Sequence, residues 1–315
     1  DEGPALSRTV HRFPMERARA LCADAAAAAS RTLFDSSLSH AEAGLAAAPR
    51  SALRLRRALH NIAGVAHHLA GEYDPAHEHL QRALALAEDC GRHGASHDAY
   101  VDLAGVLGDL AANSCMRTEL EDAAIALKRG RFMLQRAHQP SAAAQACLHN
   151  VTGWVAFARG DFEAALTSHQ EAHTLITRLP AHSGVPSAWG HAALGGSIAA
   201  LIALQRPRAA ERLAAVAVQA VEVDELDPRC APFARSNAAL AAITASGGEP
   251  TPAAARVAAE RLEQVAAELQ ALLGPQHSTT RQARSNATLA LTGASVGSGM
   301  EPLFQPALGA GIADV

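Results

Sequence analysis

Apolar residues recur along this chain at helical spacing, in runs closed by proline and glycine, and the runs come in pairs. They predict helix pairs at about 14–48, 52–90, 96–136, 140–178, 186–223 and 229–272, with a last helix near 277–293. Pro49, Gly94, Pro140, Gly184, Pro186, Pro228, Gly247, Gly248, Pro250 and Pro252 fall between these helices or at their ends. The final stretch, residues 294–315, is rich in glycine and poor in charge, and is expected to be a flexible tail to which only Leu303 and Phe304 bring docking side chains.

The pairs repeat one another. Leu59-His60-Asn61-Ile62-Ala63-Gly64 aligns without a gap on Leu148-His149-Asn150-Val151-Thr152-Gly153, and Gly71-Glu72-Tyr73-Asp74 on Gly160-Asp161-Phe162-Glu163. In the same frame Ala76, Leu80 and Ala83 meet Ala165, His169 and Ala172. Halving the spacing gives a period of roughly 44 to 45 residues, which lands on Gly108 and, one step on, on Ser197 with Ala209 and Leu213. A second echo joins Ala234-Arg235-Ser236-Asn237-Ala238 to Ala283-Arg284-Ser285-Asn286-Ala287. Gly64 and Gly153 lie inside a helix, where glycine costs about 1 kcal/mol relative to alanine, so a close approach of the second helix is expected to offset the cost.

Small residues on the first helix, an aromatic after the turn glycine and alanines on the second helix resemble the tetratricopeptide repeat. Residues 55–88 and 144–177 match it well and 189–222 fairly. Residues 100–133 match loosely, because Leu120 stands where alanine is expected. The period exceeds the family's 34 residues. The longer helices, with the helix entry Leu273-Gly274-Pro275-Gln276-His277-Ser278-Thr279-Thr280, look like the kinesin-light-chain-like variety. The resemblance implies an all-α fold: an α-solenoid of about six tandem helical hairpins in a right-handed superhelix, forming a single repeat domain over 1–293.

Composition narrows the function. AVILMFWYC residues make up 49% of the chain and aromatics only 3%, a balance suited to close-packed helices rather than sheets. A formal charge of −4 gives no footprint for nucleic acid or an anionic membrane. The basic residues are arginines apart from Lys128, which with the abundant alanine suggests a GC-rich, bacterial genome. Five scattered cysteines without a CxxC pair point away from a disulfide framework or thiolate metal site and toward a reducing cytoplasm. No apolar run is long enough to span a bilayer, and the amino end, DEGPALSRTV, does not read as a secretory signal.

The face of each first helix turned away from its partner carries Asn61, Val65 and His68 in one unit and Asn150, Trp154 and Phe157 in another. Asp109 and Asn113 lie between them, and Asn237 and Asn286 follow. Four asparagines recur at one helix position, and an amide that both donates and accepts can hold an extended chain through its backbone. The family resemblance implies the same use on the concave face. The basic partners of a carboxylate clamp are absent beside these asparagines, with Arg54, Arg57 and Arg284 only peripheral, so a free C-terminal carboxylate is not the expected ligand. Trp189 is expected to be structural.

Sixteen histidines raise a metal or acid–base reading. The strongest grouping, His169-Gln170-Glu171-Ala172-His173 with His149, is a weak metal candidate; packing histidines are the expected outcome, and no cofactor is expected. No phosphate-binding loop, dinucleotide fingerprint or nucleophile elbow is present, and Leu194-Gly195-Gly196-Ser197 reads as a close helix contact. The expected function is a peptide- or protein-binding scaffold or ligand-sensing regulatory module without catalysis of its own. The rival is an enzyme or small-molecule binder, as in bacterial secondary metabolism, whose closed pocket would be lined by His68, Asp109, Asn150 and Trp154.

Overall fold

The computed structural model describes residues 14–30, 33–92, 97–137, 141–179, 188–223, 229–246, 251–292 and 300–303. Among them every regular element is an α-helix. The helices are α1 (Pro14–Ser30), α2 (Phe34–Ala47), α3 (Leu53–Leu69), α4 (Tyr73–Arg92), α5 (His97–Met116), α6 (Leu120–Arg136), α7 (Ala142–Ala158), α8 (Phe162–Thr177), α9 (Ala188–Ala203), α10 (Pro207–Val223), α11 (Cys230–Ala245), α12 (Pro252–Leu273) and α13 (Ser278–Leu291). They form the expected tandem hairpins, and the helix pairs fall within a few residues of the limits read from the sequence.

The chain folds as two compact units, one ending at Ala144 and the other beginning at Gln145. In the amino-terminal unit α1 pairs with α2, α3 with α4 and α5 with α6. First helices also touch first helices, α1 against α3 and α3 against α5. The carboxy-terminal unit repeats the scheme, with α9 paired to α10 and α11 to α12, α9 also against α11, and α12 packed on α13. Such stacking buries each hairpin's apolar face on its neighbours.

The turns inside the hairpins are copies of one another. Gly71, Thr118, Gly160 and Gln205 all have positive φ (82°, 65°, 80° and 55°). Each donates its N–H to the carbonyl three residues back, and the next residue donates to the carbonyl five back, as in Glu72 to His67 and Arg206 to Leu201. This left-handed cap satisfies the orphan carbonyls at a helix end.

The turns correct the repeat register. Counting from Thr118, the place of Ala76 belongs to Ala123, and not to Leu120. The place of Gly64 belongs to Ala111, and not to Gly108. Ala76, Ala123, Ala165 and Ala210 are all fully buried. In the α9–α10 hairpin the shift is one residue, so Ile198 and Ala210 replace Ser197 and Ala209. The third hairpin therefore fits the repeat better than its sequence suggested.

The glycines inside the first helices do mark a close approach. A Cβ on Gly64 would stand 2.7 Å from Leu80, and one on Gly153 2.7 Å from His169. His169 thus fills the knob position of Leu80. It is wedged from the other side as well, since a Cβ on Gly196 would lie 2.4 Å from its ring. The Gly195-Gly196 pair is a packing contact, as expected.

Candidate functional site

In the amino-terminal unit the inward polar residues bond to one another. Asn61, fully buried on α3, donates from Nδ2 to Oδ2 of the buried Asp109 on α5 at 2.9 Å. His68 donates from Nδ1 to Oδ1 of Asn113 at 3.1 Å, and Asn113 donates onward to the Tyr73 carbonyl at 3.0 Å. Arg57 and Asp102, both nearly buried, form an ion pair at 3.1 Å between the same two helices. These bonds join consecutive repeats. Arg57 is therefore structural here, not peripheral.

A histidine group lies on the other side of α3. Nδ1 of His60 and Nδ1 of His79 are 3.3 Å apart, and the His67 ring packs 5.5 Å from that of His79. Burial first, and then the neighbouring His79, Arg56 and Arg82, push the His60 pKa down to about 4. Burial and the His67 charge lower that of His79. Two facing imidazoles of depressed pKa share at most one proton, which fits a neutral packed pair.

In the carboxy-terminal unit Asn150 bonds within its own hairpin: its Oδ1 accepts from Nδ1 of His169 at 2.8 Å. With Nδ1 donating, Nε2 of His169 is the bare acceptor of a neutral ring, and it has no hydrogen-bond partner among the described residues. Burial pushes the pKa down to about 4. His149 pairs with Glu171 at 2.8 Å. His173 is half-buried on α8 with its pKa lowered by burial. Among the described residues no group of three or more His, Cys, Asp or Glu side chains is arranged to hold a metal ion. Trp154 is buried, and Phe157 packs on Phe162 with ring centres 5.1 Å apart. Trp189 is buried in α9. Of the residues named for an enclosed pocket, His68 and Asp109 belong to the first unit, Asn150 and Trp154 to the second.

Asn237 and Asn286 are used differently. Each sits on a first helix, α11 and α13, with its amide buried. Asn237 donates from Nδ2 to the Leu303 carbonyl at 3.0 Å and accepts at Oδ1 from the Leu303 N–H at 2.9 Å. Asn286 does the same to Glu301, at 2.7 and 3.0 Å. Each amide therefore engages both polar groups of one residue's backbone, and the residues so held are next but one to each other. That is the spacing at which an extended chain turns successive backbone groups to the same side. Pro302, between them, is the one residue whose missing N–H is not needed. Met300 and Leu303 are buried, Met300 in the cluster that runs through α8 to α13 and Leu303 in that formed by Phe233, Val265, Ala266, Leu269 and Ala283.

No protein-family model and no curated protein matches the chain. Among solved structures it is similar to the TPR2AB-domain:pHSP90 complex of yeast Sti1, at 16% identity over 86% of this chain and 98% of that one, with a TM-score of 0.31. No helix among the described residues is long and apolar enough to cross a membrane.

The site residue that the sequence reading missed is the segment itself. Residues 300–303 fall in the stretch expected to be a free tail; these four are seated on the helices, while 293–299 and 304–315 lie outside the described residues. The available signal was the repeated Ala-Arg-Ser-Asn-Ala, two identical amide positions with Met and Leu spaced to bury beside them. Leu303 was named as a docking residue, but without its place.

Proposed function

We propose that this chain is a protein-binding helical-repeat scaffold that holds an extended segment of a partner through asparagine amides on its first helices. The observation that carries the reading is the pairing of Asn237 and Asn286 with alternate residues of an extended backbone. An amide that donates and accepts with one residue reads the main chain whatever the side chain, so these positions supply register while apolar seats beside them supply selectivity. The tetratricopeptide resemblance, and the asparagines used by its kinesin-light-chain-like variety, support the same reading. The ligand is an internal segment, since the amides meet the N–H and C=O of residues inside a chain. A sensing role within a regulator is the finer form of this function.

The test is a multivalent display of random peptides on the full chain and on Asn237→Ala/Asn286→Ala. Recovery of a shared apolar pattern that falls at least tenfold on the double variant is expected. Equal recovery on both proteins sinks the assignment.

A further inference from the structure

The segment seated on Asn237 and Asn286 is part of the chain itself. Its four residues divide cleanly by role. Met300 and Leu303 are 1% and 3% exposed, Glu301 and Leu303 give both backbone groups to the amides, and Pro302 gives none. Leu303 closes a small cavity lined by His191, Gly195, Ile198, Phe233 and Asn237. Nothing in this set is particular to a covalently attached segment. The amides read backbone, and the seats read apolar volume.

We propose that Met300–Leu303 is a resident pseudo-ligand, occupying the amide pair in place of a partner segment that must displace it. The proposal rests on the peptide-holding function above and defines its ligand. The partner segment is extended, apolar at its first and fourth residues, free of proline at the second and fourth, and tolerant of proline at the third. An attached occupant competes at its effective concentration, which for a short tether is on the order of millimolar, so a free peptide of equal intrinsic affinity binds the intact chain weakly. Partners of higher affinity, or the removal of the tail from its seats, would open the site.

The probe is the fluorescently labelled, end-capped peptide of residues 298–306, titrated by anisotropy into the full chain, into Leu303→Asp, and into the same variant carrying Asn237→Ala/Asn286→Ala. Leu303→Asp is expected to bind at least tenfold more tightly than the unaltered chain, and the added asparagine substitutions to abolish the gain. Equal affinity for the unaltered chain and Leu303→Asp overturns self-occupancy and leaves the peptide-holding function intact. No binding to either protein, with both helical by circular dichroism, overturns both. Should Leu303→Asp fail to fold, Glu301→Pro, which removes one bonded N–H at an exposed side chain, gives the same comparison. In the unaltered chain, hydrogen exchange at the Glu301 and Leu303 amides should accelerate as excess peptide binds; amides that stay protected while peptide binds overturn the proposal.

Discussion

The two units carry buried asparagines on their first helices and use them for opposite ends. In the amino-terminal unit Asn61 is spent on Asp109 and Asn113 on His68 and the Tyr73 carbonyl, so the amides join one hairpin to the next. In the carboxy-terminal unit Asn237 and Asn286 reach out of the helices to the backbone of residues 301 and 303. Asn150 stands between these uses, bonded to His169 inside its own hairpin. What separates them is the neighbouring helix. Where the next first helix offers Asp109, the amide is captured. On α11 and α13 an extended segment takes its place.

The largest effect that sharpens the contrast concerns the knob residue. Leu80 in one unit and His169 in the other lie over equivalent glycines, but only the imidazole can titrate. The folded pKa of His169 is pushed down to about 4 from an ordinary 6.5, so folding excludes a proton that the unfolded chain accepts. The stability this gives is complete above about pH 6.5 and is lost as the pH falls toward 4, to a total on the order of 3 kcal/mol. His169→Leu, restoring the residue of the first unit, should lose that much less stability in urea titrations between pH 7 and pH 4. An unchanged acid slope would show that the protonated ring is accommodated. His60 and His79, lowered in the same direction, will keep a residual slope from the first unit.

The asparagines themselves give the next effect. Asn61→Ala takes a donor from a buried carboxylate, which should cost roughly 2 kcal/mol in denaturant unfolding. Asn286→Ala frees Glu301, whose side chain is exposed and whose backbone groups water can satisfy, so its loss should be well under about 1 kcal/mol. The two are told apart by amide exchange, because only Asn286→Ala should release protection at Glu301. Similar losses of stability, with Glu301 still protected, would make both asparagines structural and end the distinction between the units.

Helix positions were legible because proline and glycine close the runs: the expected 52–90 and 229–272 are Leu53–Arg92 and Cys230–Leu273. Even the seat of His169 could be read, since the gapless alignment had placed it opposite Leu80. The register of the third hairpin could not, because its turn is made at Thr118, a residue that gives no turn signal, so a fixed period set Gly108 and Leu120 where Ala111 and Ala123 belong. Nor could the fate of the asparagines. Their recurrence shows in the sequence, but whether an amide meets Asp109, His169 or Leu303 is decided by tertiary packing between residues far apart in the chain.

Among the described hairpin turns each unit has one made with glycine and one made without, Gly71 and Thr118 in the first and Gly160 and Gln205 in the second, which isolates the cost of the left-handed backbone. At Gly160 (φ 80°) a Cβ would have nothing within 4 Å, so Gly160→Ala meets no steric obstacle beyond the backbone itself. The left-handed conformation costs an L-residue about 1 to 2 kcal/mol, partly offset by the smaller entropy that alanine loses on folding, about 0.5 to 1 kcal/mol. Gly160→Ala should therefore lower stability by about 0.5 to 1 kcal/mol. Thr118→Gly, at the matching turn of the first unit, should raise it by a similar amount, since threonine at φ 65° bears the β-branched form of the same strain. Paired thermal melts of the two variants, moving in opposite directions, are the expected result. If both substitutions lower Tm, the Thr118 hydroxyl, bonded to the Arg117 carbonyl at 2.6 Å, contributes more than its backbone costs, and the two turns are not equivalent.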